Sequence, residues 1–165
     1  MLIIVGNPGV GKSITSKMLV LYYASLGYRV RYTTDGSDLA ALKKSLSQSP
    51  DAKEIILLDD CFGQAYFSMK ETQENELLSL IRHVNIYPNK VLIMNSRVTI
   101  FQEAQARTPT LIKSLDRNEY GAYVLNIDNI SFVEKARIFY NHLFFIMFRS
   151  YIVKMLFVIK TIGKL

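Results

Sequence analysis

The chain begins "MLIIVGNPGVGKS": an apolar, β-branched run, then the spacing G-x-x-x-x-G-K-[ST] at Gly6, Gly11, Lys12 and Ser13. No other stretch constrains the fold so tightly. The glycines let backbone N–H groups curl inward around anionic oxygens, and a helix that follows adds the positive end of its dipole. Lysine at this place reaches the β- and γ-phosphates, and the next hydroxyl can ligate Mg²⁺. With glycine near 7% of average usage, a chance match in a chain this long is on the order of one in a hundred or less. The spacing predicts a phosphate-binding loop made of Gly6, Asn7, Pro8, Gly9, Val10, Gly11, Lys12, Ser13 and Ile14, set between a strand and a helix.

Downstream, strand and helix patterns alternate. "LIIV" reads as a buried strand, residues 12–26 as a helix with Gly27 in the capping position, and "YRVRYTT" as a second strand. Residues 37–47 read as a short helix starting at Ser37 or Asp38, and "EIILLDD" as a third strand covered on both faces. A helix over 71–84, a strand "VLIMNS" over 91–96, a helix near 100–106 and a strand "AYVLNI" over 122–127 complete the series. This alternation predicts an α/β fold: a five-stranded parallel sheet with helices on both faces, occupying residues 1–130. At Ser131 the pattern changes. Ser131 and Glu134 stand at capping-box spacing before a helix with apolar residues at Phe132, Ala136, Phe139, Tyr140 and Leu143, so residues 131–165 read as the start of a helical lid plus a tail.

Composition narrows the partners. The net charge of +6 looks like a nucleic-acid signal until it is located. Arg149, Lys154, Lys160 and Lys164 fall in residues 146–165 without an acid, which leaves sixteen basic against fourteen acidic residues, a net +2, for the first 145. The body has no basic stripe, and a duplex-binding role has little support. The single cysteine, Cys61, makes no internal disulfide, and a reducing, cytoplasmic setting is the simplest reading. His83 and His142 are far apart in sequence and make no zinc pattern with Cys61. In the tail "IMFRSYIVKMLFVIKTIGKL", Arg149, Lys154 and Lys160 interrupt every apolar run. It reads as a lid helix in need of a packing partner more readily than as a membrane-surface helix.

Two more segments carry candidate chemistry. "IILLDDCFG" ends a buried strand on two carboxylates: Asp59 placed to hold Mg²⁺ through water, and Asp60 to polarise an attacking water. The same pair could simply end a strand and begin a turn toward Gly63, but its distance from the loop favours the chemical reading. In "VLIMNSR", Asn95 and Ser96 end a strand before Arg97, whose guanidinium offers a fork of donors to a γ-phosphate; taken by itself, it is a surface arginine.

Together, "IIVGNPGVGKS", "IILLDDCFGQAYF", "KVLIMNSRVTIFQEA" and "NISFVEKARIFYNHLFF" resemble the STAND class of P-loop NTPases within the AAA+-like division, most closely the third group of novel STAND NTPases. The resemblance covers roughly residues 1–145. It implies a sheet with the sensor strand between the phosphate-loop strand and the acidic strand. It also implies ATP and Mg²⁺ as ligands, with Gly6, Gly11, Lys12 and Ser13 as Walker A residues, Ser13 and Asp59 at the metal, Asp60 as catalytic companion and Arg97 as the sensor-1 arginine. Such proteins act as nucleotide-controlled signalling switches, often in innate immunity or cell death, with effector domains before and helical and repeat domains after the NTPase. The chain starts on the first strand and stops about one helix into the lid, so a truncated NTPase core with slow hydrolysis at most is expected, with self-association or signalling partners engaged through the missing domains. Arg107, Lys113 and Arg117 lie where relatives can place an arginine finger; here they read as a solvated face. The alternative reading is a small P-loop nucleoside or metabolite kinase, which fits the size but shows no second-substrate motif.

Overall fold

The computed structural model describes residues 1–34, 38–115 and 121–129, with residues 131, 133, 134, 137, 140 and 141 beyond them. The chain divides into two compact units, Met1–Asp128 and Asn129–Leu165. In order along the chain come β1 (Leu2–Gly6), α1 (Lys12–Ser25), β2 (Arg29–Thr34), α2 (Leu39–Ser45), β3 (Glu54–Asp59), α3 (Glu71–Ile86), β4 (Lys90–Arg97), α4 (Val98–Arg107), α5 (Pro109–Ser114), β5 (Tyr123–Asn126) and a 3-10 turn, Ile127–Asn129.

The five strands form one parallel sheet in the order β2-β3-β4-β1-β5. β4 therefore lies between the loop-bearing β1 and the acid-bearing β3, the order the resemblance implies. Alternation along each strand sorts the core into two layers. Ile3, Val5, Ile56, Leu58, Leu92 and Met94 join the apolar cluster built with Leu39 and Leu42 of α2, Leu77 and Ile81 of α3, Phe101 of α4 and Leu111 of α5. Ile4, Ile55, Leu57 and Ile93 are equally buried and face the other way, toward α1. Burying each such side chain contributes about 1.5–3 kcal/mol, so packing on both faces holds the strand ends in register. That register brings Gly6 opposite Arg97 and Thr34 opposite Asp59 at the C-terminal edge of the sheet.

Local signals explain the boundaries. α1 stops where Gly27 takes φ +85°, and the Leu26 and Gly27 amides close on Tyr23 and Ala24 carbonyls. On its outer face α1 carries exposed Ile14, Met18, Leu21 and Tyr22, so its sequence is apolar nearly all round. α2 begins at Leu39 with Asp38, one of its two predicted starts, in the N-cap position; the other, Ser37, lies outside the described residues. α5 was not expected from the sequence. Its start is the Thr108–Pro109 pair, with proline at the first helical position, where its missing N–H costs nothing.

In the second unit the predicted capping box is present. The Ser131 amide and hydroxyl both donate to Glu134 Oε2, at 2.9 and 2.6 Å, and the Glu134 amide donates back to Ser131 Oγ at 3.2 Å. Phe132, Ala136, Phe139, His142, Leu143 and the tail 146–165 lie outside the described residues. Among the described residues, no helix is long and apolar enough to cross a membrane.

Candidate phosphate-binding site

The loop between β1 and α1 has the backbone that anion binding requires. Gly9 and Gly11 sit at φ +81° and +98°, a region that side-chain-bearing residues rarely adopt. Nothing lies within 4 Å of where a Cβ would stand at either, so the cradle is open. Gly6 is glycine for a different reason: a Cβ there would come within 2.9 Å of the Ile127 and Val10 side chains. Asn7, Pro8, Gly9 and Val10 are exposed, as is the side chain of Ile14 just beyond.

Lys12 opens α1 and is only 8% exposed. Its Nζ folds back to donate to the Asn7 carbonyl at 2.9 Å. Burial lowers the pKa of its ammonium; Asp60, Asp128 and Asp59 pull it back up, while Arg97 pushes it further down. The charges of three carboxylates and a guanidinium therefore all act on the one lysine.

Asp59 ends β3 and is nearly buried. Its Oδ1 accepts from Ser13 Oγ at 3.0 Å, and its Oδ2 from the Tyr32 hydroxyl at 3.3 Å. The hydrogen bond puts the Ser13 hydroxyl beside the Asp59 carboxylate, an oxygen pair that fits a hard divalent cation: the hydroxyl would hold Mg²⁺ directly and the acid through a water, and the ion would supply charge neutralisation for phosphate oxygens.

Asp60 follows at φ +51° and is the one non-glycine residue with positive φ among the described residues. Aspartate tolerates this region better than most residues, yet such a backbone still costs of order 1–3 kcal/mol unless its surroundings hold it. Asn95 holds it. Asn95 is fully buried; its Oδ1 accepts the Asp60 amide at 2.7 Å, and its Nδ2 donates to Ser16 Oγ at 3.2 Å. Ser16, also fully buried, donates to the Lys12 carbonyl at 2.9 Å. A relay of side chains thus ties the acid to the first turn of α1. Ser96 is buried beside it, and Arg97, half-buried, ends β4 at the position just before α4 without a capping side-chain hydrogen bond.

Other sequence candidates go elsewhere. Arg107 pairs with Glu103 at 3.2 Å on an exposed helix face, and Arg117 lies outside the described residues. Cys61 is buried, with its thiol pushed up by burial and by the neighbouring acids. His83 stacks on Tyr87 with ring centroids 4.8 Å apart and borders a groove of about 510 Å³ between α2 and α3, built of other residues than the loop and its acids.

The structure adds three residues that sequence reasoning missed. Tyr32 and Ser16 could have been found: Tyr32 lies two residues before the end of the alternating strand beside β3, and Ser16 is a small polar residue one helical turn after Lys12. Asp128, whose carboxylate accepts the Asn7 amide at 2.9 and 3.1 Å, carries no comparable signal.

The model of the family described as novel STAND NTPase 3 matches residues 1–145. The chain belongs to that family. No curated protein matches. Among solved structures, AMPPCP-bound DnaA from Aquifex aeolicus is 20% identical with a TM-score of 0.52, over 76% of this chain and 39% of that one. A crystal structure of a DNA replication initiation factor is 18% identical with a TM-score of 0.58, over 86% of this chain and 44% of that one. The chain thus spans less than half the length of either, and at these identities the likeness is one of fold: a parallel α/β sheet wrapped by helices.

Proposed function

We propose that this NTPase-family domain binds Mg-ATP on residues Gly6–Ile14 and acts as a nucleotide-controlled switch, with slow hydrolysis at most. The observation that carries the reading is the Ser13–Asp59 hydrogen bond of 3.0 Å. It joins the phosphate loop to the acidic strand at the place where a magnesium ion would bridge them. In this reading, loop amides and Lys12 hold the β- and γ-phosphates, and Ser13 and Asp59 hold the ion. Asp60 accepts a proton from an attacking water, and Arg97 reads the γ-phosphate. Arg97 lies within electrostatic reach of Lys12, so both cations can act on one phosphate chain. AMPPCP, an ATP analogue, is the ligand of the similarly folded DnaA, which favours ATP here. Signalling through self-association or partner domains, in a cytoplasmic setting, completes the proposal.

The test is a titration of the protein with a fluorescent ATP analogue, with and without Mg²⁺, beside Lys12→Ala and Asp59→Ala. Magnesium-dependent saturation in the wild type, weakened at least tenfold in both variants, is expected. Wild-type affinity in Lys12→Ala counts decisively against the site.

A further inference from the structure

Asp128 lies outside the loop motif, yet it grips the loop directly. Both of its oxygens accept the Asn7 backbone N–H, at 2.9 and 3.1 Å. The carbonyl of the same residue accepts Lys12 Nζ at 2.9 Å. Asn7, the first residue after the strand, is therefore held on both sides, by an acid and by the loop lysine.

The two grips differ in what a ligand does to them. Lys12 is the group that turns to phosphate, and in turning it releases the Asn7 carbonyl. Asp128 has no favourable contact to make with an anion, so its hold on the Asn7 amide persists. Its own placement is built in. β5 pairs with β1, with Asn126 opposite Val5. Asn126 Oδ1 accepts the Asp128 amide at 2.9 Å, and Ile127 packs where Gly6 has no side chain. An acid beside a phosphate-binding loop is electrostatically unfavourable for binding, so its presence there calls for an offsetting role; a charge-assisted hydrogen bond to a backbone amide is one.

We infer that Asp128 is a positioning residue of the phosphate loop, pinning the Asn7 amide so that the loop keeps its curl when Lys12 leaves the Asn7 carbonyl for phosphate. This deepens the proposed nucleotide site and rests on that reading. Asp128→Asn and Asp128→Ala remove the same charge, but the asparagine keeps a carbonyl oxygen to accept the Asn7 N–H. Their difference isolates the pin.

Titration with Mg-ATP tests it, joined to NMR hydrogen exchange at the Asn7 amide in nucleotide-free protein. Asp128→Ala is expected to bind about two- to tenfold more weakly than Asp128→Asn, the worth of one hydrogen bond. Its Asn7 amide should exchange at least severalfold faster than in the wild type and in Asp128→Asn. Equal affinities in the two variants, or an Asn7 amide whose exchange ignores the substitution, overturn the inference. A wild type that binds no Mg-ATP defeats the proposed function instead, and the exchange comparison still decides whether the pin exists.

Discussion

Strands β3 and β4 begin and end on polar residues, and their two ends handle charge in opposite ways. Where they begin, Glu54 meets Lys90 at 2.8 Å with the side chains 2% and 0% exposed. Glu54 Oε2 also accepts the Ser47 amide, and Oε1 takes Arg31 at 3.3 Å. Each carboxylate oxygen is answered on the spot. Where the strands end, Lys12 feels the charges of Asp60, Asp128 and Asp59, yet its hydrogen bond goes to a peptide carbonyl. A buried charge that serves the fold must be neutralised where it stands. A charge that the proposed function keeps for a ligand has to be held in place without being consumed, and a backbone partner such as the Asn7 carbonyl can do that.

The contrast can be broken most forcefully at the base. Lys90→Ala strands Glu54 without its main partner, which should cost about 3–5 kcal/mol and lower the melting temperature by on the order of 10 °C. Nucleotide affinity of the folded protein should stay as it was. Thermal unfolding beside an ATP titration checks both; a melting temperature within a degree or two of wild type would mean that this end is not the sealed one. Lys12→Ala should do the reverse, weakening Mg-ATP about hundredfold by loss of hydrogen bonds between charged partners while the nucleotide-free melting temperature hardly moves.

Asn95→Leu sharpens the comparison from the middle of β4. It keeps the branched shape but removes the acceptor of the Asp60 amide and the donor to Ser16, so about 1–3 kcal/mol of stability should go, read by chemical denaturation. The smallest effect is acid-dependent. Burial alone would push the Glu54 carboxyl up, but Lys90, the Ser47 amide and Arg31 outweigh it and hold the carboxyl below its usual 4.5. A carboxyl lowered by folding contributes stability above its unfolded value and loses it as pH falls through the folded one. The melting temperature should therefore fall on acidification below about pH 4.5, and Glu54→Gln should flatten that part of the profile.

The working edge was more legible in the sequence than the sealed one, and the reason is physical. The loop is a local device: Gly9, Gly11, Lys12 and Ser13 must stand at fixed spacing because one turn of backbone makes the cradle. That Asp59 and Arg97 stand at the loop's edge of the sheet was readable because each ends an apolar strand, and strand ends in a parallel sheet share an edge. Glu54 and Lys90 also flank strands, but nothing local marks them as partners; their meeting depends on β3 and β4 pairing in register, Glu54 opposite Lys90. Asn95 was read as part of the segment presenting Arg97. It stands two residues after Ile93, on the same α1 face of β4, so it clamps Asp60 and Ser16. Asp128 was invisible because its role comes from β5 lying beside β1, 121 residues away from Asn7 in sequence. The α5 helix was missed because six residues are too few for a periodic pattern to emerge.

One thermal-unfolding experiment, run with and without saturating Mg-ATP on the wild type, Lys12→Ala and Lys90→Ala, tests the division of labour most directly. Ligand at about a hundred times its Kd should stabilise a competent site by about 2.7 kcal/mol. The account predicts that Lys90→Ala melts lower than wild type but rises by a similar increment with Mg-ATP, while Lys12→Ala melts near the wild type and gains only about 0.4 kcal/mol at the same ligand concentration. A ligand-induced rise in Lys12→Ala equal to that of the wild type would contradict it.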